Sequence, residues 1–111
     1  MKQPCVYILA SSKNGSLYIG VTSDLPSRLE DHQLGIGSKH TGKYQIRRLV
    51  WFEDHETMDD AIQREKSLKR YRRAWKINLI EESNPEWLPL HPETGDFLPF
   101  EWGSKGPRDK P

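Results

Sequence analysis

Two short β-rich runs near the start of the chain constrain its fold more than anything else in it. Cys5-Val6-Tyr7-Ile8-Leu9-Ala10 and Leu17-Tyr18-Ile19-Gly20-Val21 are separated by Ser-Ser-Lys-Asn-Gly-Ser. Asn14-Gly15 supplies the positive backbone φ angles of a tight turn, so the pair reads as a β-hairpin. Because strand side chains alternate faces, Val6, Ile8 and Ala10 fall on one side of the first strand, with Tyr7 and Leu9 on the other. Leu17, Ile19 and Val21 separate from Tyr18 in the same way. One face of the hairpin is therefore aliphatic core, and the opposite face carries two tyrosines.

The next elements follow from local signals. Thr22-Ser23-Asp24 offers N-caps, Pro26 suits a first helical turn, and Leu25, Arg28, Leu29 and His32 recur at helical spacing before Gly35 and Gly37. This predicts a helix over about 24–34. A polar loop over 35–45 leads to Ile46–Glu53, a third strand whose nearly continuous apolar run suits a central position. From Thr57 onward Met58, Ala61, Ile62, Glu65, Leu68 and Tyr71 or Arg72 repeat at three and four residues, with Thr57 and Asp60 spaced as a capping box. A further helix over about 74–82 presents Trp75, Ile77, Leu79 and Ile80. Beyond Asn84 prolines accumulate, predicting an irregular tail tethered by Trp87, Leu90, Phe97, Phe100 and Trp102. At 111 residues there is room for one core. The division expected is a domain over 1–87 and a Pro/Trp-rich tail over 88–111.

Several function classes drop out. The longest apolar run, Leu49–Phe52, is far short of the roughly 20 residues that span a bilayer, and no apolar signal segment follows Lys2. A cytoplasmic protein without a membrane partner is expected. A lone cysteine, Cys5, excludes an intramolecular disulfide and a multi-cysteine zinc site, and its apolar surroundings predict an inert buried thiol. The formal net charge of +1 hides an uneven distribution. Arg64, Lys66, Lys69, Arg70, Arg72, Arg73 and Lys76 are interrupted by one acid, Glu65, whereas residues 81–101 carry acids and no Lys or Arg. A local basic patch binds polyanions even on a nearly neutral molecule.

Glu65 is anomalous because it sits on the inward stripe of its helix. A carboxylate there needs a positive partner, which is either a salt bridge to Arg28 or a nearby lysine, or a metal ion. One carboxylate with water and substrate phosphate is an ordinary Mg²⁺ arrangement. Arg28 and His32 share a helical face. Two phenols, a guanidinium, an imidazole and a carboxylate converge if the hairpin and both helices meet, which a small sheet covered by helices permits.

Cys5-Val6-Tyr7, ten residues, Tyr18-Ile19-Gly20, then Arg28-x-x-x-His32 and the later helical Glu65 resemble the GIY-YIG nuclease superfamily. The similarity is to its small single-domain bacterial members, which resemble the nuclease domain of the excision-repair incision subunit, and it covers about 3–87. Arg64-Glu65-Lys66-x-Leu68-Lys69 and Asn84-Pro85-x-Trp87 are similar to the same subgroup. The resemblance implies an α/β (α+β) fold with a three-stranded mixed sheet flanked by helices, and Mg²⁺- or Mn²⁺-dependent hydrolysis of DNA phosphodiesters. It makes Tyr7 and Tyr18 the motif tyrosines, one of them helping to deprotonate the attacking water. Arg28 becomes the stabiliser of phosphate charge, His32 an assistant in proton transfer, Glu65 the metal-binding carboxylate and Asn84 a late substrate-side asparagine. Cys5 stands where the name-giving glycine would be, and Val21 where several members carry a lysine. Without that cation a phenol of ordinary pKa about 10 is a poor base, so His32 gains weight and turnover should be slow.

Beside such a site Lys66, Lys69, Arg70, Arg72, Arg73 and Lys76 are expected to track phosphates, without reading sequence. Tyr71 and Trp75, interleaved with them, are candidates for stacking on unpaired bases or for the core. The expected function is a structure-selective or weakly sequence-selective endonuclease in DNA repair or recombination, with RNA left open as a substrate. The competing readings are a nucleic-acid-binding module with weak or lost cleavage, and a scaffold whose tail binds a protein. One site cuts one strand, so a monomer or a weak homodimer fits.

Overall fold

A computed structural model describes residues 2–34 and 45–98 of the chain. Strand β1 is Cys5–Ala10 and strand β2 is Leu17–Thr22, antiparallel with Tyr7 opposite Gly20 and Leu9 opposite Tyr18. The turn between them closes with Gly15 N–H donating to the Ser12 carbonyl at 2.8 Å. Only Asn14 of the Asn-Gly pair takes the left-handed conformation, at φ 61°. Asparagine tolerates that region better than most side chains.

Helix α1, Leu25–Gln33, starts where Asp24 accepts a hydrogen bond from Ser27 N–H and Pro26 occupies the first turn. Strand β3 is Arg48–Asp54, helix α2 is Met58–Lys69 and helix α3 is Arg73–Ser83. Thr57 caps α2 through Asp60 N–H, as the capping-box spacing predicts.

The sheet order is β2-β1-β3, and both pairings are antiparallel. Two expectations are corrected here. The sheet is not mixed, and the central strand is β1, every residue of which is buried, whereas β3 lies at an edge. The continuous apolar run of β3 has another cause. The register against β1 shifts between Ile8, opposite Trp51, and Leu9, opposite Leu49, so Val50 has no partner in the ladder. The bulge turns Val50 and Trp51 into the same layer, while Leu49 enters the other. The alternation that an edge strand would otherwise show is lost.

Each face of the sheet is covered. Val6, Ile8, Ala10 and Ile19 pack with Val50 and Trp51 against Ala61 and Leu68 of α2, Ile80 of α3 and Trp87. On the other side Cys5, Tyr7 and Leu9 meet Leu25 of α1, Ile46, Leu49 and Leu90, with Tyr18, Leu29 and Phe52 at the margin. Cys5 is the buried thiol expected; burial, and then the charge of Asp54, push its pKa up to about 12.

After α3 the chain is held by polar contacts as much as by apolar ones. Asn84 donates to the Val50 and Leu88 carbonyls at 3.0 and 2.8 Å and accepts from Leu88 N–H at 2.9 Å. Its side chain thus bonds a backbone carbonyl of the edge strand at the residue the register skips. Trp87 is buried, with its indole N–H on Glu81 at 2.7 Å, and Leu90 N–H donates to the Leu49 carbonyl. Phe97 bridges to Leu90 through its backbone, and the residue is 51% exposed. Phe100 and Trp102 lie outside the described residues. No described helix is long and apolar enough to cross a membrane.

Candidate active site

The tyrosine-bearing face of the hairpin lies under α1. Tyr7, in the central strand, is 1% exposed, and its ring lies across Gly20 of β2. A β-carbon at Gly20 would fall 2.5 Å from Tyr7 Cζ and Oη, so the absence of a side chain there creates the seat for the phenol. The helical spacing of Leu25, Leu29 and His32 turns His32 inward, where it is completely buried. Tyr7 Oη and His32 Nε2 are 3.0 Å apart. Tyr18, on edge strand β2 and partly exposed, completes the trio, with ring centroids 6.3 Å from Tyr7 and 5.2 Å from His32.

Two charged groups flank these rings. Arg28, one turn before His32, is partly exposed and meets Asp31 at a loose 3.9 Å. Glu65 comes from α2, which packs on β2 and β1; its side chain is 15% exposed and Oε2 pairs with Lys69 at 3.1 Å. The partner expected for this carboxylate is thus present, and it is the lysine one turn on rather than Arg28. Both charges reach Tyr7. Burial raises the Tyr7 pKa above the ordinary phenol range, Tyr18 raises it further, Arg28 opposes the rise and Glu65 adds to it. His32 is shifted down, first by burial and then by Arg28, against a smaller pull from Asp31. Near neutral pH the site therefore holds a protonated phenol against an uncharged imidazole.

The donor set bears on a metal as well. Among the described residues no three His, Cys, Asp or Glu side chains cluster, so an all-protein cage is absent there. Glu65 Oε1 makes no hydrogen bond to the described residues. A single accessible carboxylate oxygen fits a hard cation that keeps most of its water.

Residues 3–78 match the family model described as the GIY-YIG catalytic domain. The chain belongs to the GIY-YIG family. Several Staphylococcus aureus relatives, each named a UPF0213 protein, are 42% identical over 77 residues, which span 69% of this chain and 93% of theirs. The solution NMR structure of a UPF0213 protein from Bacillus halodurans is 32% identical, with a TM-score of 0.47 over 74% of this chain and 86% of that one.

Within this GIY-YIG domain the spaced residues divide into groups. Tyr7, Tyr18 and His32 touch, Arg28 acts through its charge on Tyr7 and His32, and Glu65 acts on Tyr7. Asn84 does not join them, nor does it face a substrate: it is 1% exposed and all its bonds go to the backbone of β3 and the tail. The nucleic-acid-binding expectation for Asn84 is corrected accordingly. Arg73 spends its guanidinium on the Asn14 and Gly15 carbonyls at 2.7 and 2.6 Å, fastening α3 to the hairpin turn. Arg64 is held by Glu53, which also accepts from His55 at 2.8 Å. Lys66, Arg70, Arg72 and Lys76 form no ion pair with the described residues. Gly20 was named from sequence only as part of the Tyr18-Ile19-Gly20 run, without its role as a seat for the phenol, and Glu53 was not singled out. The signal for Gly20 was a glycine inside a strand; Glu53 gave none.

Proposed function

We propose that this GIY-YIG domain is a divalent-metal-dependent endonuclease that hydrolyses DNA phosphodiester bonds. The observation that carries the reading is the buried Tyr7–His32 contact at 3.0 Å with Tyr18, Arg28 and Glu65 around it. His32, kept uncharged by burial, is the proton acceptor. Tyr7, whose pKa is raised, serves as a relay and never as a free phenolate: its hydroxyl passes a proton to His32 Nε2 while taking one from the attacking water. The water oxygen bonds to phosphorus as the bond to the 3′ oxygen breaks. Arg28 offers its fork of donors to the charge that builds on the phosphate oxygens. Glu65 would hold Mg²⁺ or Mn²⁺, which supplies Lewis-acid stabilisation of that charge and of the leaving oxygen. Tyr18 lines the approach from the sheet edge.

A second reading, a binding module with weak cleavage, is favoured by the Glu65–Lys69 ion pair, which competes with a cation for the carboxylate. One experiment separates them. Wild type and Glu65→Gln are incubated with end-labelled single-stranded, flapped, branched and duplex DNA in Mg²⁺, Mn²⁺ or EDTA, and products are resolved on denaturing gels. Metal-dependent cleavage that falls by at least about a hundredfold in Glu65→Gln is expected. DNA bound equally by both proteins and cut by neither would establish the binding module instead.

A further inference from the structure

Trp75 is the one tryptophan among the described residues with its side chain largely in solvent, 51% exposed, whereas Trp51 and Trp87 are buried. It stands in the first turn of α3 and is not loose. Tyr71, itself packed against the core, meets its ring at 85° with centroids 5.5 Å apart, which fixes the plane of the indole. The Arg72 guanidinium lies 5.6 Å from the ring centroid. The aromatic pair that the sequence leaves ambiguous is thus divided: Tyr71 belongs to the core and Trp75 to the surface.

The surroundings of this ring specify its occupant. Lys66, Arg70, Arg72 and Lys76, on the end of α2 and the start of α3, have no carboxylate partner among the described residues. An exposed indole with the Arg72 guanidinium against it, and with Arg70 and Lys76 close by in sequence, suits a ligand that is at once planar, apolar on its faces and polyanionic. An acidic peptide satisfies only the charge, and a duplex presents phosphates but keeps its base faces stacked inside. A single strand satisfies every condition, since each unpaired base has an open π-face and a phosphate on either side. The platform is also tied to the site: Arg73, two residues before Trp75, binds the hairpin turn from which β2 and Tyr18 emerge.

We propose that Trp75 is a stacking platform for an unpaired DNA base, with Arg72 and Arg70 on the adjoining phosphates, so that unpaired strands are bound in preference to duplex. This rests on the nuclease reading above and names its substrate class.

The test is fluorescence anisotropy in EDTA with a labelled oligo-dT strand and a blunt duplex of equal length, comparing wild type, Trp75→Ala and Trp75→Phe. Wild type should bind the single strand more tightly. Trp75→Ala should lose on the order of tenfold or more on the single strand and little on the duplex, and Trp75→Phe should recover most of the loss. Equal losses on both ligands, no loss on either, or a Phe variant as weak as Ala would overturn the platform. Because EDTA removes cleavage from the readout, the two readings fail separately. A wild type that cuts with metal while Trp75→Ala binds normally sinks the platform alone; intact single-strand preference without cutting sinks the nuclease alone.

Discussion

The phenol of Tyr7 is shaped by a residue with no side chain. Any β-carbon at Gly20 would overlap the Tyr7 ring, and a ring 1% exposed and bonded to His32 has nowhere to retreat. Gly20→Ala should therefore displace the hydroxyl from His32 Nε2. Cleavage should drop by about a hundredfold, since misplacement by an ångström costs that much. Stability should fall by roughly 1–3 kcal/mol, as for other overpacked sites. Turnover together with urea unfolding checks this, and undiminished cleavage would remove Tyr7 from the relay. That Tyr7 and Tyr18 share a face of the hairpin, and Arg28 and His32 a face of α1, was legible in the sequence from strand and helix periodicity; the roles proposed for them come from the resemblance. The role of Gly20 was not legible, because it depends on the register that sets Tyr7 opposite it.

At the level of elements, hairpin, caps and helices followed from local chemistry: Asp24 and Thr57 cap as their positions imply. Strand order did not follow. Apolar continuity in β3 comes from the bulge at Val50, a consequence of tertiary pairing that no local pattern announces. Asn84 bonds at that same residue. In sequence a late asparagine is only a polar residue, and its burial becomes intelligible once the edge strand offers it the Val50 carbonyl. Asn84→Ala should destabilise the fold by roughly 1–3 kcal/mol, the usual effect of stranding buried backbone groups. Urea unfolding measures this, with DNA affinity as the companion readout. Unchanged stability with weakened DNA binding would return Asn84 to the substrate side.

For the whole molecule, charge matters more by placement than by sum. Arg64, Lys69 and Arg73 are already engaged by groups of the chain itself, which leaves Lys66, Arg70, Arg72 and Lys76 as the cations on which the proposed DNA contact rests. Stability should also depend on pH in a definite sense. His32 has a folded pKa below its ordinary 6.5, so its contribution is complete above that value and is lost as pH falls through the folded one. Cys5, raised from 9.0 to about 12, and Tyr7, raised from 10.0, behave oppositely: their contributions are complete below the ordinary values and are lost as pH climbs towards the folded ones. Urea midpoints should form a plateau between about pH 6.5 and 9 with a decline on each side. Cys5→Ala should soften the alkaline decline, and an unaltered decline would show that the thiol does not contribute to it.

Placing β1 at the centre of the sheet has a kinetic meaning. Local openings are easiest where few apolar contacts must be broken and become as costly as global unfolding where burial is complete. Tyr7 rides on the strand whose amides should exchange last with solvent, bonded across to α1. Fraying of α3 can then come and go while the Tyr7–His32 contact stays assembled, and in the proposed nuclease heat should abolish cleavage only as the whole domain melts.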